Sequence, residues 1–223
     1  MHIEFLVEDA SGARLIEILL PKIIGPYADP HSWRIISYKG LGRIPPKLKP
    51  NIDPAKRVLL DTLPRVLAGY AKNPAINMVV IVIDADKRNC RSFLDELGDL
   101  GERTPSPPKV LFRLAIEEIE AWYFGDREAV LTSYPRARSV VLSKYVQDSV
   151  CGTWEMLADA VHPGGSQALK AAGSYGAGEA KFDWAERIGP EMKPERNTSP
   201  SFCKFRDGLA NAVGAPQSAV PVV

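Results

Sequence analysis

Several features that would settle the class of a chain are scarce here. The three cysteines, Cys90, Cys151 and Cys203, are far apart, odd in number and without any CxxC spacing, so neither a zinc site nor a disulfide framework is supported. A reducing, cytoplasmic setting fits such usage. An excess of one charge is also missing, since 28 Lys and Arg against 27 Asp and Glu leave a formal net charge of +1. No global basicity announces a nucleic-acid partner, and any such surface has to be a local patch. No apolar stretch approaches the roughly 20 residues that span a bilayer. The opening Met1-His2-Ile3-Glu4 carries an acid where a signal peptide carries basic residues. Neither secretion nor membrane insertion is expected, and no internal repeat is visible.

What is present is an ordinary globular composition, 45% hydrophobic and 25% charged over 223 residues. That length suits one large domain, or a domain with an appendage, around a sizeable core. Residues 3–7 read as a strand, followed by a turn at Asp9-Ala10-Ser11-Gly12 and a helix with Leu15, Ile16, Leu19, Leu20 and Ile23 at helical spacing. Pro21 is placed to kink that helix, and Pro26 and Pro30 to end it. Trp33–Tyr38 reads as a second strand, and the proline-rich stretch from Gly40 to Pro54 as a loop. Asp53-Pro54 then supplies an N-cap and first residue for a helix running to Ala71.

Met78–Ile83, the most apolar run, reads as a third strand, Asn89–Leu100 as an amphipathic helix, and Lys109–Leu114 as a fourth strand after a proline-rich connector. Helices are predicted at about 117–124 and 126–131. The alternation implies an α/β layered sheet, mostly parallel, with right-handed crossovers and helices on both faces. Beyond Pro135 strand signals are scarce, and helical segments follow at Trp154–Val161, Ser166–Ala172, Ala180–Ile188 and Phe202–Val213. Residues 1–135 are thus expected to form the α/β core, 136–213 a helical part packed on it, and 214–223 a loose tail. The glycine clusters at Gly164-Gly165 and Gly173–Gly178 read as turns rather than as phosphate cradles.

Acids end three of the apolar runs: Glu8 after the first, Asp84 and Asp86 after the third, Glu118 and Glu120 after the fourth. In open α/β sheets ligands bind outside the carboxyl ends of the strands, where acids from separate runs converge. Carboxylates crowded there repel one another unless a hard cation such as Mg²⁺ (or Mn²⁺) sits among them. If extended, Asp84-Ala85-Asp86 points both carboxylates to one side. Ordinary alternatives stand beside each assignment: a cap for the Asn89 helix, a solvated acid at Glu8, and a macrodipole preference for Glu117, Glu118 and Glu120 at a helix start. Arg34, Lys39, Arg43, Lys47 and Lys49 form the nearest approach to a phosphate-binding patch, with Trp33 and Tyr38 available for stacking. Lys87 and Arg88, directly after the paired aspartates, and Lys181 and Lys170 further on are additional candidate cations. Trp122 and Phe124 read as core.

Leu6-Val7-Glu8, Ile83-Asp84-Ala85-Asp86, Ile116–Trp122 followed by Asp126, and Arg196–Phe205 together resemble the motifs of the TOPRIM-related DUF4276 family, from residue 6 to about 208. The resemblance implies a TOPRIM-like metal-binding fold shared with topoisomerases, bacterial primases and overcoming-lysogenization-defect nucleases. In the nucleases of that group a glutamate after the first strand, a DxD pair and a later glutamate hold divalent metals. Here these correspond to Glu8, Asp84 with Asp86, and Glu120, with Glu118 standing where a serine would be. The implied activity is Mg-dependent cleavage of DNA, beside a separate ABC-type ATPase in a defence system, and no Walker A motif is present in this chain. A homo-oligomer is compatible with that picture. The alternative is a non-catalytic metal- or partner-binding module. The family's E-G-x-x-E start is here Glu8-Asp9-Ala10-Ser11-Gly12, so the second glutamate is absent unless Asp9 or Glu118 replaces it.

Overall fold

The computed structural model describes residues 1–43, 58–102 and 108–215, with the side chain of Glu102 excepted. The expected caps at Asp53-Pro54 and the candidate cations Lys47 and Lys49 lie outside the described residues. Four parallel strands, β1 (His2–Val7), β2 (Ser32–Ser37), β3 (Met78–Asp84) and β4 (Lys109–Ala115), form one sheet in the order β2-β1-β3-β4. The layered α/β class expected from the alternation of elements is the one observed.

The central strands are apolar on both faces because both faces are covered. Ile3, Phe5 and Val7 of β1 and Met78, Val80 and Val82 of β3 join one core; Leu6 and Val79, Ile81 and Ile83 join the other. Helices α2 (Leu59–Tyr70) and α3 (Cys90–Glu102) cover the second core. On the opposite face lie α1 (Ala10–Ile24), α4 (Ala121–Gly125), α5 (Arg127–Ser133), α6 (Ser139–Lys144), α7 (Thr153–Val161), α8 (Gly165–Ala171), α9 (Gly173–Ile188) and α10 (Pro200–Val213). One core therefore runs unbroken from the strands into the C-terminal helices.

Three helix boundaries bear on the sequence expectation. Helix α1 runs through Pro21 to Ile24 and stops at Gly25, whose φ of 88° only glycine adopts at little cost. Val58 is extended, so among the described residues α2 begins at Leu59, and the expected start at Pro54 lies outside them. The stretch Gly173–Gly178 is not a turn but the opening of α9. Each interior glycine costs about 1 kcal/mol, yet extending a helix already pinned by buried Trp184, Ala185 and Ile188 adds a hydrogen bond per residue without a new nucleation cost.

Candidate functional site

From β1 the chain passes to β2 on one side, and from β3 to β4 on the other, so the connections diverge between β1 and β3. That divergence opens the crevice where α/β sheets bind ligands. Glu8 stands immediately after β1, and Asp84 closes β3 beside it, its backbone N–H donating to Glu8 Oε2 at 3.2 Å. Burial pushes the Glu8 carboxyl up from 4.5 to about 7, opposed by that hydrogen bond and reinforced by the charges of Asp86 and Asp9. Burial also drives the Asp84 carboxyl well up, with Glu120, Glu8 and Asp9 adding to the effect and Lys181 countering it.

The chain leaves β4 through a turn, not through the helix expected from Glu117. Glu117 has φ 57°, and its carbonyl accepts from Asp86 N–H at 2.9 Å in an isolated antiparallel bridge. Its carboxylate turns away from the crevice and accepts from the backbone N–H groups of Cys151 (3.0 Å), Gly152 (2.9 Å) and Thr153 (3.0 Å) and from the Thr153 hydroxyl (2.5 Å). Burial works against its charge, but these donors prevail and hold the carboxyl below its ordinary value. Of three acids expected to serve one helix start, this one instead satisfies the orphan donors at the start of α7.

Glu118 and Glu120 meet Lys181 of α9, whose ammonium donates to Glu118 Oε2 at 3.1 Å and Glu120 Oε2 at 3.2 Å. Glu120 is almost fully buried. Burial and the charge of Glu120 raise the Glu118 carboxyl to about 8, against the pull of Lys181. Burial disfavours the Lys181 ammonium, but Glu120, Glu118 and Asp84 outweigh it and keep the lysine protonated. The crevice thus sets one cation against Glu8, Asp84, Glu118 and Glu120. Its donors are all hard carboxylate oxygens, the type that suits Mg²⁺ or Mn²⁺. With Lys181 bridging two of them, no group of three acids stands at ligating distance of a common point among the described residues.

The C-terminal motif is a clasp on this turn. Asn197 Nδ2 donates to the Trp122 carbonyl at 2.7 Å, Thr198 N–H to the Gly125 carbonyl at 2.9 Å, and Trp122 Nε1 to Ser201 Oγ at 3.1 Å. The approach is so close that a Cβ at Gly125 would collide with Asn197 Oδ1 and Ser199 N. Asp148 accepts from Ser199 Oγ (2.8 Å) and from Ser201 N–H (2.6 Å), and buried Asp126 accepts from Arg196 Nε at 2.8 Å. The two sequence motifs are one structural unit holding Glu118 and Glu120 in place. Sequence spacing alone offered no sign of Asp148 or of the reach of Glu117.

The remaining candidates are dispersed. Asp86 has φ 49°, so the premise of an extended Asp84-Ala85-Asp86 fails at its last residue; Asp86 is exposed and pairs with Arg88 at 3.3 Å, within electrostatic reach of Glu8. Arg34 is committed to buried Glu4 at 2.9 Å, which also accepts from Tyr70 OH at 3.1 Å. Trp33 is buried with its ring against Tyr27, which removes it as a stacking surface. Lys39 and Arg43 are exposed in the stretch after β2, where the Gly40 N–H donates to the Glu8 carbonyl at 3.0 Å, and Lys170 pairs with Glu155 at 3.2 Å. Trp122 and Phe124 are fully buried, as expected. Asp9 caps α1 by accepting from Gly12 N–H at 2.7 Å and from Ser11 Oγ at 2.9 Å, so its carboxylate is already engaged. A Cβ at Gly12 would lie 3.0 Å from Asp9 Oδ1 and 3.3 Å from Ile119 Cδ1, too tight for a glutamate at that position without movement.

Beside the acids lies a cleft of about 750 Å³ bounded by Asp86, Lys87, Arg88, Glu118, Cys151 and Trp154. Among the described residues no helix is long and apolar enough to cross a membrane. The family model described as "Domain of unknown function (DUF4276)" matches residues 7–210. No curated protein and no solved structure matches the chain.

Proposed function

On the premise that the chain belongs to the DUF4276 family, we propose that it is a TOPRIM-like, divalent-metal-dependent phosphodiesterase acting on DNA. One observation carries this reading: four carboxylates from three strand ends share the crevice between β1 and β3, with Lys181 bonded to two of them, Glu118 and Glu120. Such a site has more carboxylates than its own cation can balance, so burial leaves them holding protons that a divalent ion would displace. Asp84, Glu118 and Glu120 would hold the ion, with Glu8 as ligand or proton carrier and Asp86 reaching in from the exposed rim.

Bound Mg²⁺ or Mn²⁺ would polarise the scissile phosphate. The chain's own residues do the rest. Glu8, whose carboxyl is raised to about 7, is suited to take the proton from an attacking water and return it to the oxygen that leaves as the P–O bond breaks. Lys181 stands where it can neutralise charge on the phosphate once an ion has taken over the carboxylates. Lys87 and Arg88 at the cleft, with exposed Lys39 and Arg43, would meet the flanking backbone.

Energy for regulation or translocation would come from a separate ABC-type ATPase, with the pair forming an anti-phage defence system in the cytoplasm. The test is nicking of supercoiled plasmid in Mg²⁺ or Mn²⁺, with and without that ATPase. Activity lost in Asp84→Asn and Glu120→Gln supports the reading, and nicking unchanged in both would refute it.

A second reading is supported by two observations: Gly12 stands where the family's second glutamate would be, and Lys181 already bridges Glu118 and Glu120. On it, the protein is a non-catalytic module that binds a metal or a partner. Tight divalent-ion binding by calorimetry without any nicking would favour it.

A further inference from the structure

The chain has four tryptophans, and Trp33, Trp122 and Trp184 are buried. Trp154 alone is partly open. It is the second residue of α7, and it lines the cleft together with Asp86, Lys87, Arg88 and Glu118. The ammonium groups of Lys170 and Lys181 lie over its ring, 5.8 Å and 5.9 Å from the centre, in cation–π contact that an incoming base would replace. Lys181 is also the lysine that bonds Glu118 and Glu120, so one side chain spans the distance from the indole to the acid crevice.

The position of Trp154 is set by the same turn that sets the acids. The Glu117 carboxylate ties down the N–H groups of Cys151, Gly152 and Thr153, immediately before the tryptophan, while Glu118 and Glu120 follow in the chain. A flat aromatic surface flanked by cations is the means by which single-stranded nucleic acid is held: bases stack and phosphates are neutralised. The cleft, about 750 Å³, has the volume of a small-ligand pocket and is large enough for a splayed nucleotide.

We propose that Trp154 is the stacking platform for an unpaired base, and that DNA therefore enters as a single strand, a flap or a frayed end. Its backbone runs from Lys87 and Arg88 across Lys181 toward Asp84 and Glu120. This inference rests on the nucleic-acid reading above and adds the substrate class.

The experiment titrates the full chain, in Ca²⁺, with short oligodeoxythymidine and with a blunt-ended hairpin duplex, following tryptophan emission and anisotropy of a labelled strand. The expected result is quenching by the single strand, binding about tenfold weaker in Trp154→Ala, near-normal binding in Trp154→Phe, and weak binding of the blunt duplex throughout. Equal binding of the strand by wild type and a folded Trp154→Ala, no binding by wild type, or a duplex bound as tightly as the strand would each overturn the proposal. Circular dichroism establishes that the variants fold. Because binding is read without cleavage, a Trp154-dependent complex stands even if no plasmid is nicked, and nicking without dependence on Trp154 removes only the platform.

Discussion

Lys181 is bonded to two carboxylates and faces a third, so its removal leaves buried negative charge with no direct partner. Lys181→Met should lower stability by about 3 kcal/mol at pH 8, the scale for breaking a buried pair. Saturating Mg²⁺ should recover most of that loss, because a divalent ion replaces the missing charge. Melting curves with EDTA and with Mg²⁺ check both parts. Calorimetry should also find tighter Mg²⁺ binding in this variant than in wild type, since the ion no longer competes with a tethered ammonium. Asp84→Asn and Glu120→Gln should do the opposite and weaken the ion by about tenfold or more, since each removes a charged oxygen donor.

At the scale of elements, the turn between β4 and α4 and the N-terminus of α7 form one assembly through Glu117. Four donors converge on its carboxylate. Glu117→Gln keeps the shape but offers one oxygen where there were two, and should cost about 1–3 kcal/mol. Its folded carboxyl lies below the ordinary value, so the contribution is present above the unfolded pKa and is lost as pH falls through the folded one. Wild type should therefore lose more stability than Glu117→Gln on acidification below about pH 4.5, measured by urea titration. Asn197→Ala in the clasp should loosen the Trp122 turn and reduce metal affinity without touching any ligand, since its amide is bonded to a backbone carbonyl there. A metal affinity equal to wild type would show that the clasp does not position Glu118 and Glu120.

For the whole molecule, the raised carboxyls set the direction of the pH dependence. Glu8 moves from 4.5 to about 7 and Glu118 from 4.5 to about 8, with Asp84 also raised. The folded chain thus holds more protons than the unfolded one across this window, and stability in EDTA should fall as pH rises from about 4.5 to 8. Mg²⁺ takes the place of those protons. Its stabilising effect should therefore be larger at pH 8 than at pH 5.5, and each kcal/mol should appear as about 2–4 °C in Tm for a chain of this size. A Tm that rises across that window in EDTA would contradict the crowding of acids in one crevice.

The α/β class, the four strands and the acids at their ends were legible in the chain, because burial on both faces demands unbroken apolar runs such as Met78–Ile83 and because strand ends are where such runs stop. The sequence motifs around Trp122 and Ser199 were also visible, though not their reason. What only the tertiary structure decided is which groups meet across long separations: Lys181 on Glu118 and Glu120, Glu117 on the start of α7, Asp148 on Ser199 and Ser201, Trp154 at the cleft. Local spacing cannot encode those pairings. A charge or a hydrogen-bond donor finds its partner by three-dimensional proximity, and at Glu117 and Asp86 that proximity depends on left-handed backbone conformations that no periodic pattern reveals.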